Sequence, residues 1–194
     1  MHPVRVDHPG HRSSPEQVLA RSELLHDAAA VRAAYDRMAA AIVTRLADRE
    51  PVVLGMMLGG LIVTAEIVQR LRFPLRLDYL HATRYRGGTH GAELHWVARP
   101  AQALAGRSVL LVDDILDEGV TLAAVIEACR RQGAREVLSA VLVQKRHDRG
   151  RADLCADFVG LEVPDRYVFG CGMDWHERFR NLPELRALAA EDEA

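Results

Sequence analysis

What the chain lacks narrows it first. No apolar stretch approaches the roughly 18 residues of a membrane-spanning helix, so no membrane partner is expected. An excess of one charge is missing too. The 25 Lys and Arg stand against 27 Asp and Glu, a formal net charge of −2. No global field therefore recommends nucleic acid or an anionic surface as partner. Cysteine is scarce. Cys129, Cys155 and Cys171 are odd in number and far apart, which implies neither a disulfide framework nor a zinc knuckle and suits a reducing cytoplasm. All three read as small apolar residues. The 9 His are scattered, with no i, i+4 pair of the kind that makes a helical metal site. Internal repeats and low-complexity tracts are absent. Residues 1–14 are rich in His, Pro and Arg and hold no apolar signal core, so they read as a flexible arm ahead of one domain, 15–194.

What is present is ordinary globular material, 49% apolar and 27% charged, patterned as alternating strands and helices. Ser14-Pro15-Glu16-Gln17 has the marks of a helix start: a Ser cap, Pro at the first helical position, Gln at the third. Val31, Tyr35, Met38, Ile42 and Leu46 step by three and four, predicting a helix over about 27–48 with that face on a sheet. Val52 to Met57 reads as a buried strand, followed by Leu58-Gly59-Gly60 and a helix from about Leu61 to Leu71. Leu75 to His81 and Glu93 to Val97 alternate and predict a hairpin around the Gly-rich loop Thr83 to Ala92. Helix Thr121 to Gln132 closes at Gly133. Val137 to Val143 is a further buried strand, ending at Gln144-Lys145-Arg146. His147 to Ala152 reads as a charged loop, Phe158 to Val163 and Tyr167 to Gly172 as short strands, and the C-terminus as a short helix with an acidic tail. The alternation predicts an α/β fold: three layers, with a central, mostly parallel sheet flanked by helices.

The chemistry concentrates in VLLVDDILDEGVTL, Val109 to Leu122. A continuous apolar run from Val109 to Val112 reads as a strand buried on both faces. Four carboxylates, Asp113, Asp114, Asp117 and Glu118, follow within six residues at its carboxyl end, where open α/β sheets bind ligands. One Asp there would be an ordinary helix cap. Four need a counter-ion, and a hard cation or a polyhydroxylated ligand supplies one. Gly119, Val120 and Thr121 then open a helix whose amides and dipole suit a phosphate. Gly59-Gly60 opens another helix in the same way, through tight packing or close backbone approach to an anion. Taken singly, Lys145 would snorkel, Tyr167 would be core and Trp175 packing.

Together these residues resemble the type I phosphoribosyltransferases. VLLVDDILDEGVTL is similar to that family's phosphoribosyl-pyrophosphate motif. Lys145 after its strand, DFVGLEVPDRYVFG from Asp157 to Gly170, and DWHERFRNL from Asp174 to Leu182 resemble its hypoxanthine-guanine branch. LHATRYRGGTHG lies where that branch has its catalytic lid. The likeness spans about Val52 to Leu185. It implies transfer of a phosphoribosyl group to a 6-oxopurine (hypoxanthine, guanine or both), with Mg2+ as cofactor and a small hood built from terminal segments. It further implies small-molecule substrates, no nucleic-acid or membrane partner, and a homodimer or homotetramer.

By this resemblance, Asp113 and Asp114 hold the ribose hydroxyls directly or through Mg2+, and Asp117 faces the purine N7 as general base. Glu118, Gly119, Val120 and Thr121 wrap the 5-phosphate. Leu58, Gly59, Gly60, Arg84, Tyr85 and Arg180 meet pyrophosphate. Lys145 donates to the purine 6-oxygen, Tyr167 stacks on the ring, the Val168 backbone meets its other edge, and Asp174 belongs to the same purine side and supports a second Mg2+ through water. Three positions depart from the family's pattern. Leu58 stands where a Lys or Arg is usual, Arg84-Tyr85 where the lid has Ser-Tyr, and Glu118 and Val120 where Thr and a basic residue are usual. Arg84 is expected to restore the positive charge lost at Leu58. Two rival readings stay open: a regulator that senses the sugar phosphate without turnover, and a transferase preferring xanthine or a pyrimidine.

Overall fold

A computed structural model describes residues 13–84, 94–147, 149 and 154–192. The order along the chain is α1 (Pro15–Arg21), β1 (Glu23–His26), α2 (Ala28–Leu46), β2 (Val52–Met56), α3 (Gly60–Arg70), β3 (Arg76–Arg84) and β4 (Leu94–Ala98). Then come β5 (Ser108–Leu116), α4 (Val120–Arg131), β6 (Glu136–Arg146), β7 (Phe158–Pro164), β8 (Val168–Phe169) and β9 (Leu185–Ala187).

Local chemistry accounts for the helix starts. Ser14 caps α1 in a reciprocal capping box with Gln17, satisfying two of the donors that a helix N-terminus leaves over. Asp27 caps α2 by accepting from the Ala30 amide at 2.8 Å. The stripe Val31, Tyr35, Met38, Ile42 and Leu46 is buried, as the three-and-four spacing predicts.

Six strands form the main sheet in the order β4-β3-β2-β5-β6-β7. All neighbours are parallel except β4, which returns antiparallel on β3. Side chains of β5 alternate between two cores. Leu110 and Val112 join the cluster under α2 and α3; Val109 and Leu111 join the one under α4. That double burial explains the unbroken apolar run in the sequence and makes the three predicted layers.

The topology also fixes where a ligand can sit. From β2 the chain proceeds outward through β3 and β4, then returns to lay β5, β6 and β7 on the other side of β2. The connections after β2 and β5 thus diverge, and the crevice outside the carboxyl ends of this strand pair is the expected ligand position.

A second sheet, β1-β9-β8, is antiparallel and gathers both ends of the chain into the small hood. Val18 of α1 packs there with Phe169, Trp175 and Leu188. Arg21 reaches Asp192 at 2.5 Å and closes the two ends together.

Several expectations need correction. The segment after Leu182 is strand β9 and a 3-10 turn at Ala190–Asp192, not a short helix. Its length suits a hood strand paired with β1, a segment not read as a strand from sequence. The hairpin strand β3 runs on through Thr83 and Arg84, which were expected in the loop; Tyr85 and most of that loop lie outside the described residues, as do residues 1–12 of the expected arm. Of the cysteines, Cys129 and Cys171 are buried but Cys155 is exposed.

Candidate active site

Strand β5 does not stop before its carboxylates. It stays paired with β6 through Asp113, Ile115 and Leu116, so Asp113 and Asp114 are held in extended backbone rather than in a turn. Each carboxylate accepts the next residue's amide: Asp113 Oδ1 from Asp114 at 3.0 Å and Asp114 Oδ1 from Ile115 at 2.8 Å. Burial pushes both carboxyls above the usual carboxylate range, and the charge of Asp114 pushes Asp113 further still. Two adjacent, partly buried acids without a full counter-charge have an unmet need for a cation or for hydroxyl donors. The donors are all carboxylate oxygens, which fits a hard divalent ion.

Asp114 leans onto the turn after β2. A Cβ on Gly59 would lie 1.8 Å from its Oδ2, and a Cβ on Gly172 would lie 2.1 Å from the Gly59 carbonyl. Gly172, whose φ of 107° is also one that side chains rarely adopt, is therefore obligatory, and Gly59 leaves the Asp114 carboxylate its place against the β2–α3 turn. Gly172 also ties in Arg180, whose Nη1 donates to its carbonyl at 2.6 Å. Arg180 pairs with Asp174 as well, and the Tyr167 hydroxyl donates to the Asp174 carbonyl at 2.9 Å. A continuous contact path thus runs from Gly59 through Asp114, Gly172 and Arg180 to Asp174 and Tyr167.

Helix starts separate by function. While α1 and α2 carry side-chain caps, α3 and α4 begin at Gly59 and Gly119 with none. The α4 terminus lines the cleft and the α3 terminus abuts Asp114 through Gly59; first-turn amides without intrahelical acceptors can receive an anion. Gly119 has φ 75°, a left-handed conformation that glycine adopts without strain. The carboxylates and this loop line a cleft of about 420 Å³, Asp113 to Leu122 on one wall and Met56, Met57, Leu80 and Ala82 on the other.

Asp117 stands at the end of that cleft and is held on both oxygens. Lys145 Nζ reaches Oδ2 at 2.8 Å and His147 Nε2 reaches Oδ1 at 2.6 Å. Partial burial would raise the Asp117 carboxyl, but the Lys145 ammonium and the His147 contact outweigh it and leave it below the usual range.

A known sequence pattern matches this arrangement. The profile of the phosphoribosyl transferase domain covers residues 22–178. The chain belongs to the phosphoribosyl transferase domain family. A hypoxanthine-guanine phosphoribosyltransferase of Bacillus subtilis is 32% identical over 152 residues, 78% of this chain and 84% of that protein. One of Staphylococcus epidermidis is 32% identical over 155 residues, 79% and 86% of the two chains. The crystal structure of a hypoxanthine phosphoribosyltransferase from Staphylococcus aureus superposes with a TM-score of 0.82 at 26% identity, covering 89% of this chain and 94% of that one.

Within this family framework the expected site residues fall into two groups. Asp113, Asp114, Asp117, Glu118, Gly119, Val120 and Thr121 line the cleft; Lys145 joins them through Asp117. Tyr167, Val168, Asp174 and Arg180 form the hood side. Tyr167 is 44% exposed, so the expectation of a core tyrosine fails and its ring is accessible for stacking. Val168 is buried and paired with Ala187 of β9. Trp175 is core, 3% exposed. Leu58 is exposed at the turn before Gly59, and Glu118 is exposed to solvent, a position that spares the phosphate loop a buried like charge. The Arg180 guanidinium, expected on pyrophosphate, is engaged by Gly172 and Asp174.

Sequence reading missed His147, leaving it in a charged loop. Its signal was available: Lys145 and His147 are two apart at a strand end, and period two puts them on one face. It also missed Gly172, which only the three-dimensional approach of Gly59 reveals. Among the described residues, Asp117, His147 and Asp165 form a group of potential metal donors. Both its carboxylates already face a cation, Lys145 and Arg149, so that group has no charge deficit for an ion to fill.

Proposed function

We propose that this protein joins hypoxanthine, guanine or both to phosphoribosyl pyrophosphate, releasing pyrophosphate and IMP or GMP. The observation that carries this reading is the Lys145–Asp117 pair at 2.8 Å. A donor suited to a purine 6-oxygen and a carboxylate suited to purine N7 share one point, directly beside a hydroxyl-and-phosphate seat.

In this reading the sugar phosphate enters the cleft with its 5-phosphate on the amides of Gly119, Val120 and Thr121 and the Thr121 hydroxyl. Asp113 and Asp114 take the ribose hydroxyls. Mg2+, when bound, would be held by Asp113, Asp114 and, through water, Asp174, and would supply positive charge against the pyrophosphate oxygens. The amides at Leu58, Gly59 and Gly60 face the same pyrophosphate, with Arg180 released from Gly172 to join them.

Lys145 exchanges Asp117 for the purine 6-oxygen. An amino group at that position cannot accept this hydrogen bond, so 6-oxopurines are favoured over 6-aminopurines. The Asp117 oxygen so released accepts the N7 proton, leaving the ring electron pair to support attack by N9 on the ribosyl carbon as pyrophosphate departs. The same carboxylate stabilises positive charge developing on that carbon. Tyr167 stacks on the ring and Val168 offers backbone to its edge.

We place the enzyme in the cytoplasm, a reading supported by its three free thiols; no helix among the described residues is long and apolar enough to cross a membrane. A homodimer or homotetramer is the assembly we expect. The exposed Leu77, Tyr79 and Val97 of the β3–β4 hairpin are apolar surface suited to an interface.

The test is a nucleobase panel with phosphoribosyl pyrophosphate and Mg2+, following pyrophosphate release. Release with hypoxanthine or guanine supports the reading. Binding of the sugar phosphate without release from any base would favour the regulator, and release with xanthine alone would move the substrate assignment.

A further inference from the structure

His147 has no role in the scheme so far, yet its ring is among the most enclosed polar groups at the site, with 6% of the side chain exposed. Both ring nitrogens are engaged. Nε2 lies 2.6 Å from Asp117 Oδ1, and Nδ1 receives the Arg149 backbone N–H at 3.1 Å. A backbone amide can only donate, so Nδ1 must be the unprotonated nitrogen, and the proton of a neutral ring must sit on Nε2. The ring is therefore oriented to donate to Asp117.

The two oxygens of Asp117 are held by groups of different kinds. Lys145, on Oδ2, is a long side chain that can swing to a ligand. His147, on Oδ1, is a short ring pinned from behind by backbone. We propose, building on the transferase reading, that His147 is the positioning residue for Asp117: it retains Oδ1 when Lys145 leaves for the purine, so that Oδ2 is presented to N7–H. Without it, withdrawal of Lys145 leaves a partly exposed carboxylate free to rotate about its own bonds at the moment it must accept a proton. The charged groups around the ring are already paired with one another. Lys145 already balances Asp117, and Arg149 balances Asp165.

The test compares His147→Ala with His147→Gln, whose amide nitrogen can reach the position of Nε2. His147→Ala is expected to lower kcat with hypoxanthine about tenfold to a hundredfold, the scale of a misplaced catalytic group, while KM for phosphoribosyl pyrophosphate stays within roughly twofold. His147→Gln is expected to recover most of the lost kcat. In the unaltered protein, 15N NMR of the histidines, with His147 assigned from the resonance lost in the Gln variant, is expected to give a protonated Nε2 and an unprotonated Nδ1. Unchanged kcat in His147→Ala, equal losses in both variants, or a protonated Nδ1 would each overturn the proposal while leaving the transferase reading standing. Absence of pyrophosphate release from the unaltered protein with every base overturns both.

Discussion

The sugar-phosphate half and the purine half of the site differ in how their charges are met. In the first, Asp113 and Asp114 sit side by side on β5 with raised carboxyls, and the helix starts at Gly59 and Gly119 are uncapped. Charge and hydrogen-bonding capacity are left unfilled. In the second, Asp117 already has a partner on each oxygen, Lys145 on Oδ2 and His147 on Oδ1. A ligand therefore completes the carboxylates and helix starts of the first half, with only Arg180 changing partners there, but must displace Lys145 from Asp117 in the second. That order suits an enzyme whose sugar phosphate binds into a ready seat and whose base is admitted by a change of partners.

The sharpest way to break this comparison is at the residue where the halves meet. Asp117→Asn removes the proton acceptor and is expected to lower kcat roughly 10²- to 10⁴-fold. Binding of phosphoribosyl pyrophosphate with Mg2+, followed by thermal shift, should persist. Loss of binding with turnover at saturation intact would contradict the division between halves.

A smaller effect, on stability, is expected at Asp113. Its carboxyl is raised by burial and by Asp114. The folded state therefore holds that proton more tightly than the unfolded chain. The stability it confers is complete below the ordinary carboxylate range and is lost as pH rises through the raised value. At neutral pH, Asp113→Asn should raise the melting temperature of the ligand-free protein by about 2–4 °C, the shift that roughly 1 kcal/mol gives at this chain length. The gain should vanish at pH 4, and the added stabilisation by Mg2+ with phosphoribosyl pyrophosphate should fall. A lower melting temperature at neutral pH would mean that Asp113 is already satisfied, and the contrast between halves would fail.

Smallest is the effect expected at the lid. With Leu58 in place of a cation at the pyrophosphate turn, Arg84→Ala should raise the KM for phosphoribosyl pyrophosphate about two- to fivefold, the scale of an exposed ion contact. No change in KM would remove Arg84 from pyrophosphate binding.

The same contrast explains what could be read from the sequence. The sugar-phosphate half is local: Asp113 to Thr121 is one contiguous segment, and a buried strand running into carboxylates and a glycine helix start carries its own physical meaning. The purine half is assembled from β6, the β7–β8 connection and the segment after β8. Lys145 and Tyr167 had bland readings one at a time, and they and Asp174 gained roles only through family resemblance. His147 escaped because its partner is 30 residues away, just beyond the end of another strand. Strand β9 was misread as helix because three hood residues hold too little pattern to reveal a period, and its pairing with β1 is set by tertiary contact.

In the proposed reaction Lys145 trades Asp117 for the purine 6-oxygen. The most direct test of that exchange is the ratio of kcat/KM for hypoxanthine to that for adenine, measured in the unaltered protein and in Lys145→Met. A strong preference for hypoxanthine is expected, collapsing about tenfold to a hundredfold in the variant, the worth of a hydrogen bond from a charged donor. An unchanged ratio would contradict it, leaving Lys145 as a partner of Asp117 alone.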